Sequence, residues 1–235
     1  MIRLLQWNIW NNEDIDNIIK ELKRISPDIA CIQELAIKDD NDIKIRKLKE
    51  VYPYIYYEKA DTFQDGYSQC NAILSNYPLS LQNHIHVQKP SDNKNDYSKE
   101  GRVYIEAKVK VNNKELTIGT THLSYTDRFK ETESKDKEVN NLISCIKKDR
   151  YILAGDFNTH KTSKYIKWIE KILVNNDTSN TWTTKPFSYN GFEETELNWK
   201  LDYIFTSRDI KVKETKVIDT KYSDHLPILI TLELQ

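Results

Sequence analysis

The chain has 235 residues, with 35 Lys+Arg against 36 Asp+Glu for a formal charge of −1, and only five glycines and six prolines. That composition excludes a collagen-like or linker-rich chain, and the balanced charge without a long charge block argues against a purely electrostatic nucleic-acid module. No run approaches the ~18 apolar residues needed to span a membrane, and no small-residue cleavage site follows the short apolar start, so a cytoplasmic, reducing environment is expected.

Residues 2–8 read as a strand. Ile15, Ile18, Ile19, Leu22 and Ile25 recur at helical spacing over 13–25. Pro27 stops that helix, because proline disfavours the helical region in the residue before it. A second strand, 29–33, leaves Glu34 at its end, so the chain opens β-α-β. Residues 38–50 are charged with helical character. Strands are expected over 54–59, 69–75 and 79–87, and the polar stretch 89–99 reads as a surface loop. The alternating segments 102–111 and 115–122 read as an antiparallel pair joined by a tight turn at Asn112-Asn113.

The charged segment 130–149 carries Val139, Leu142, Ile143 and Ile146 on one stripe and predicts a solvent-facing helix. Residues 151–154 form a short buried strand ending at Gly155-Asp156. A helix over 162–173 and strands over 201–206, 210–218 and 226–234 complete the pattern. Cys31, Cys70 and Cys145 form no Cys-x-x-Cys and no zinc spacing, and the first two read as core thiols. Without repeats or a Pro/Ser-rich linker, one mixed α/β domain over 1–235 is expected.

Polar residues recur at the margins of apolar strands: Asn8, Glu34, His122, Asp156 with Asn158, Asp202, and Asp224 with His225. Such an oxygen-rich set suits a hard divalent ion, Mg²⁺ or Mn²⁺, rather than zinc. A histidine beside an acid can take a proton from water. Singly, each has a plain alternative. Glu34 reads equally as a solvated strand end, Asp156 and Asn158 as an Asx turn, and His122 as a satisfied core histidine. Asp202 interrupts an apolar strand and needs a partner, because a lone buried charge is costly. Asp224-His225 before an apolar final strand is the best pair, a base with its orienting acid. Together, in this order, they are hard to dismiss.

These residues resemble the endonuclease/exonuclease/phosphatase superfamily, the fold of pancreatic DNase I. The matching pieces are Gln-Trp-Asn-Ile at Asn8, Ile-Gln-Glu at Glu34, Thr-His-Leu at His122, Gly-Asp-Phe-Asn at Asp156 and Asn158, Leu-Asp-Tyr-Ile at Asp202, and Ser-Asp-His-Leu-Pro at Asp224 and His225. They run in family order from residue 6 to 227. The resemblance implies a four-layer α/β sandwich, two largely antiparallel mixed sheets face to face with helices outside. It implies Asn8, Glu34 and Asp224 as the Mg²⁺ or Mn²⁺ site. Asp202 would fix the tautomer of His225, the general base. Asp156 and Asn158 would orient water and phosphoryl oxygens, and His122 would donate to a nonbridging or leaving oxygen.

The resulting expectation is a monomeric metal-dependent phosphodiesterase acting on nucleic acid. A phosphomonoesterase or lipid phosphodiesterase of the same fold is the alternative, and a non-catalytic binding protein the third reading. Arg102 is a candidate phosphate contact or a surface residue. Trp7 and Trp10 read as packing, while Trp182 or Trp199 is placed to line a substrate groove. Lys161, Lys164, Lys167 and Lys171 read as a solvated helix face, with a basic strip as the other possibility.

Overall fold

The computed structural model describes residues 1–92, 96–111 and 113–233. In chain order the elements are β1 (Ile2–Asn8), α1 (Ile15–Ile25), β2 (Ile29–Ile37), α2 (Ile43–Lys49), β3 (Tyr54–Thr62), β4 (Ser68–Ser75), β5 (Leu79–Gln88), β6 (Arg102–Val111) and β7 (Lys114–His122). Then follow α3 (Glu133–Cys145), β8 (Tyr151–Asp156), α4 (Lys164–Glu170), β9 (Val174–Asn175), β10 (Phe187–Tyr189), β11 (Phe192–Glu194), β12 (Asp202–Thr206), β13 (Lys211–Val217) and β14 (Ile228–Glu233). One six-stranded sheet has the order β13-β14-β1-β2-β4-β3 and the other β5-β6-β7-β8-β12-β9, with β10-β11 a separate hairpin. Pairing is antiparallel except at β1–β2 and β7–β8. The four-layer sandwich is therefore as expected.

The pleat explains the layers. Side chains alternate between faces along a strand, and in β1 Ile2 and Leu4 enter the core between the sheets while Leu5 and Trp7 face outward. Ile29 and Cys31 of β2, Ile118 of β7, Ile152 and Ala154 of β8, and Ile204 of β12 join the same central core. Ile15, Ile18 and Leu22 of α1 and Ile45 and Leu48 of α2 cover one outer face. Val139 and Leu142 of α3 and Tyr165, Ile166 and Ile169 of α4 cover the other. Asp14 caps α1 by accepting from the Asp16 amide, and Thr132 and Ser163 cap α3 and α4 in the same way.

Helix α3 departs from the solvent-facing expectation. Lys135 and Glu138 are buried in it. Glu138 accepts from the Ser124 amide and hydroxyl, and the Lys135 ammonium donates to the Ser124 carbonyl. Two charges on a helix dominated by solvated residues thus anchor the loop that leaves β7. The short strands β9, β10 and β11 have no counterpart among the expected strands. Of the expected tight turn, Asn113 sits at φ 63°, while Asn112 lies outside the described residues.

Gly155 is required by close approach, because a Cβ there would lie 2.1 Å from the Thr121 carbonyl oxygen. Its neighbour β7 can then pair tightly with β8, bringing His122 opposite Asp156 in register. No helix among the described residues is long and apolar enough to cross a membrane.

Candidate active site

The rows of inward-facing residues turn polar at one edge of the sandwich. Beyond Ile2 and Leu4 the inner row of β1 continues as Gln6 and Asn8, and beyond Ile29 and Cys31 that of β2 continues as Gln33. In β7, Ile118 gives way to Thr120 and His122; in β8, Ala154 gives way to Asp156. In β12 the row starts at Asp202. Gln6 and Gln33 exchange amide hydrogen bonds, Gln33 also donates to the Thr120 hydroxyl, and Gln6 donates to Asp202. This buried amide layer separates the apolar core from the ionised groups and satisfies their backs. Gln6 and Gln33 were not singled out from the sequence, although extending the period-two inner row would have found them.

Glu34 breaks the alternation. A β-bulge falls between Ile32 and Leu35 where β2 pairs with β4, and Glu34 adopts φ 61°. Bulges re-aim side chains, and this one turns Glu34 toward Asn8. Glu34 Oε1 accepts from Asn8 Nδ2 at 2.9 Å, and Oε2 accepts from the Asn11 amide at 3.1 Å. Trp10 and Asn158 are also left-handed, at φ 57° and 45°. Non-glycine residues in that region carry strain that concentrates at functional sites.

Asp156 Oδ2 is the centre of the arrangement. It accepts from Asn8 Nδ2 at 3.0 Å and lies 3.5 Å from His122 Nε2 and 3.6 Å from His225 Nε2. Its other oxygen accepts from the Asn158 amide at 2.8 Å. His225 Nδ1 bonds Asp202 Oδ2 at 2.7 Å, and the Trp7 indole N–H donates to the His225 carbonyl. Asp224 Oδ2 accepts from the Trp182 indole N–H at 3.1 Å. The Ser223 hydroxyl donates to the Asn8 carbonyl and accepts from the His225 amide, tying the Asp224-His225 turn to β1. All eight residues singled out from the sequence are therefore drawn together here.

The electrostatics are lopsided. Burial pushes the Asp156 carboxyl up to about 7, and Asp202 beside it adds to the rise despite the opposing His225. Glu34 is raised by burial and then by Asp224. Burial alone would discharge His225, but Asp202, Asp224 and Asp156 outweigh it and hold the ring protonated well above its ordinary range. His122 goes the other way. Burial first, then Arg102, His225 and Lys135, keeps it neutral.

Arg102 corrects one expectation. It is 2% exposed and so is not a surface residue. Its guanidinium donates to Glu100 and Gln69 and approaches His122 Nδ1 at 3.3 Å. On the far edge of the imidazole, Asn158 Nδ2 lies 3.0 Å from Nε2. Arg102 thus acts as a brace behind His122.

Trp7 is buried as expected. Trp10 is half-buried beneath the Lys185 ammonium, 4.0 Å from its ring centre. Trp182 joins an aromatic cluster with Phe129 and Leu201, and Trp199 packs against it. Of the four lysines, Lys164 and Lys167 lie within α4 and Lys171 caps its C-terminus, and Lys164 pairs with Asp136 at 2.7 Å.

Ligand atoms of Asp156, Asp202 and His225 lie within 4.8 Å of one another, a group able to hold a metal ion. The wider donor set fits a hard divalent cation. Oxygens of half-buried Glu34 and buried Asp156 converge on Asn8, and both carboxyl groups are driven toward their neutral forms by burial and like charge. A cation among them would relieve that penalty.

Residues 5–225 match the model of the Endonuclease/Exonuclease/phosphatase family. "Protein angel" of Drosophila melanogaster is 23% identical over 184 residues, 74% of this chain, and the match spans only half of that protein's length. Among solved structures, D. rerio TDP2 complexed with single strand DNA product superposes with TM-score 0.72 at 16% identity, over 99% of this chain and 98% of that one. The Bacteroides thetaiotaomicron mannosyl-6-phosphatase Bt3783 gives TM-score 0.69 at 17% identity, over 99% and 100%.

Proposed function

The chain belongs to the endonuclease/exonuclease/phosphatase family, and from that premise we propose that it is a Mg²⁺- or Mn²⁺-dependent phosphodiesterase of nucleic acid. The coarser activity, divalent-metal-dependent phosphoester hydrolysis, follows from the family and from the cluster of metal-competent groups. The observation that carries the reading is the single carboxylate oxygen of Asp156 set 3.5 and 3.6 Å from two histidines of opposite charge state. One ring is a neutral donor and the other an imidazole oriented by an acid, which is what attack and departure at one phosphorus require.

In this reading Asn8, Glu34 and Asp224 would hold the metal, a set adjoining but distinct from the Asp156, Asp202 and His225 group. When bound, it neutralises charge on the phosphoryl oxygens and eases ionisation of the attacking water. His225, anchored through Nδ1 on Asp202, presents Nε2 to that water; a cation among the surrounding carboxylates would offset the negative charge that otherwise keeps the ring protonated, leaving Nε2 free to accept the proton. Asp156 and Asn158 orient the water and the phosphoryl oxygens. His122, neutral and braced by Arg102, donates to a nonbridging or leaving oxygen. Preorganised donors of this kind act where charge gathers in the transition state.

The nucleic-acid part draws support from the fold shared with a protein solved on single-stranded DNA. The fold shared with a mannosyl-6-phosphatase favours a second reading, a phosphomonoesterase. Metal-dependent turnover of bis-p-nitrophenyl phosphate, p-nitrophenyl phosphate, single- and double-stranded DNA, and RNA separates them. Cleavage of the diester and of nucleic acid is expected. Turnover of monoesters alone would replace the first reading by the second, and no turnover of anything would remove both.

A further inference from the structure

One feature of the site's rim is a continuous run of aromatic rings. It starts at Trp182, whose indole N–H binds Asp224 and whose ring centre lies 6.3 Å from that of His225. From there Phe187 follows at 5.0 Å, Tyr125 at 6.2 Å, Tyr189 at 5.8 Å and Tyr97 at 4.8 Å. The rings come from four separate stretches: the loop after β7, the 182–186 segment, the β10–β11 hairpin, and the turn before Glu100. One end of the run reaches the catalytic cluster, where the Trp182 indole donates to Asp224. From there the rings arch outward along the rim to Tyr97.

The chemistry of the arch is specific. None of its five members is charged, so it does not compete with the metal site for phosphate. Tyr97 is 45% exposed, and Phe187, Tyr125 and Tyr189 are half-buried, so ring faces remain open to a ligand. A flat, weakly polar group attached to the phosphate fits such faces. Duplex nucleic acid presents phosphates outward and keeps its bases stacked within, whereas an unpaired base offers a π-face that any aromatic ring can meet.

We propose that the Trp182-to-Tyr97 arch binds an unpaired nucleobase beside the scissile phosphodiester, making single-stranded nucleic acid or a frayed end the substrate. The inference rests on the nucleic-acid reading above. The test compares kcat/KM on a single-stranded oligonucleotide, the same strand with abasic residues flanking the cleaved bond, and its duplex, for wild type, Tyr189→Ala, Tyr189→Phe and Tyr97→Ala. Wild type is expected to favour the single strand over both the abasic strand and the duplex. Each alanine variant is expected to lose roughly 5- to 150-fold on the base-bearing strand, with little change on the abasic one, and Tyr189→Phe is expected to retain activity because its ring face is intact. Equal losses on base-bearing and abasic strands, or duplex cleaved as fast as single strand, would overturn the arch while leaving the nuclease reading in place. Cleavage of bis-p-nitrophenyl phosphate without any nucleic-acid cleavage would overturn both.

Discussion

His122 and His225 sit on opposite sheets of the sandwich, at almost equal distance from one oxygen of Asp156, yet one is held neutral and the other protonated. His122 ends β7 with the Arg102 guanidinium and the Asn158 amide at its two ring nitrogens. His225 precedes β14 with Asp202 at Nδ1 and Asp224 next to it in the chain. Both rings are buried, and burial alone favours the neutral form of each. The difference lies in the charged neighbours: cations around one ring, carboxylates around the other. Identical side chains thereby become a fixed donor and a charge-switchable group, separating the two proton roles that phosphoryl transfer needs.

The largest effect is expected from the switchable ring. His225→Ala should lower kcat by about 10²- to 10⁴-fold, the usual range for loss of a general base, while the circular-dichroism spectrum stays that of a folded chain and the melting temperature falls because buried Asp202 loses its partner. An unchanged kcat would erase the assignment of roles. Next, His122→Ala should cost about 10²- to 10³-fold, as for removal of a preorganised donor. The two profiles should differ in kind. Loss of His122 should leave the acidic limb of the kcat/KM pH profile in place, and loss of His225 should abolish it. Acidic limbs that respond identically would mean the two rings are not functionally distinct.

How far that contrast could be read from the amino-acid order depends on what each neighbour is. Asn8, Glu34, His122, Asp156, Asp202 and His225 were legible because each interrupts an apolar strand at its end. Period-two patterning then predicts that such ends gather at one edge. The sandwich followed from the same strands once the motifs were placed in order. The charge of His122 was not legible. It depends on Arg102, which begins a strand twenty positions away and reads equally as a surface cation. Glu34 needed a bulge that no local residue type announces. Lys135 and Glu138 lie in a segment whose composition argues for solvent, and only the partner loop at Ser124 reveals their burial. The rim of aromatic rings draws on four unconnected stretches without periodicity, so nothing local marks it.

A smaller effect should appear in the pH dependence of the metal-free protein. Asp156, raised to about 7, and His225, raised above its usual range, both bind protons more tightly when folded than unfolded. Their contribution to stability is present at low pH and is lost as pH rises through the folded pKa values. His122, lowered on folding, works the other way, but mainly below about 6.5, where the unfolded imidazole titrates. From pH 6.5 to 8 the raised groups outweigh both His122, whose unfolded ring finishes titrating in that window, and Lys135, lowered to about 8 by burial and opposing them only as that pH is approached. Stability should then fall by about 1–2 kcal/mol across that window, a loss of roughly 2–8 °C in melting temperature for a chain of this size. Adding Mg²⁺ or Mn²⁺ should flatten the slope, because a cation replaces those protons. A metal-free melting temperature that rises from pH 6.5 to 8 would contradict the charge state assigned to His225.

The smallest effect tests whether His122 is set by charge or by shape. Arg102→Lys keeps one positive charge in the buried pocket with Glu100, so the cost of leaving that carboxylate unpaired is avoided. It removes the planar fork, one nitrogen of which reaches Gln69 and His122 while the other holds Glu100, and lysine cannot reproduce that geometry. Two hydrogen bonds are lost, at about 0.5–1.5 kcal/mol each. If the fork orients His122, kcat should drop about 3- to 10-fold with KM nearly unchanged, since the ring would still be present but less often aligned. The His225-dependent acidic limb should not move, because none of its carboxylate neighbours is touched. If positive charge alone were sufficient, Arg102→Lys would match wild type in kcat while Arg102→Gln would not. The contrast between the two histidines would then be purely electrostatic rather than a consequence of how each ring is held.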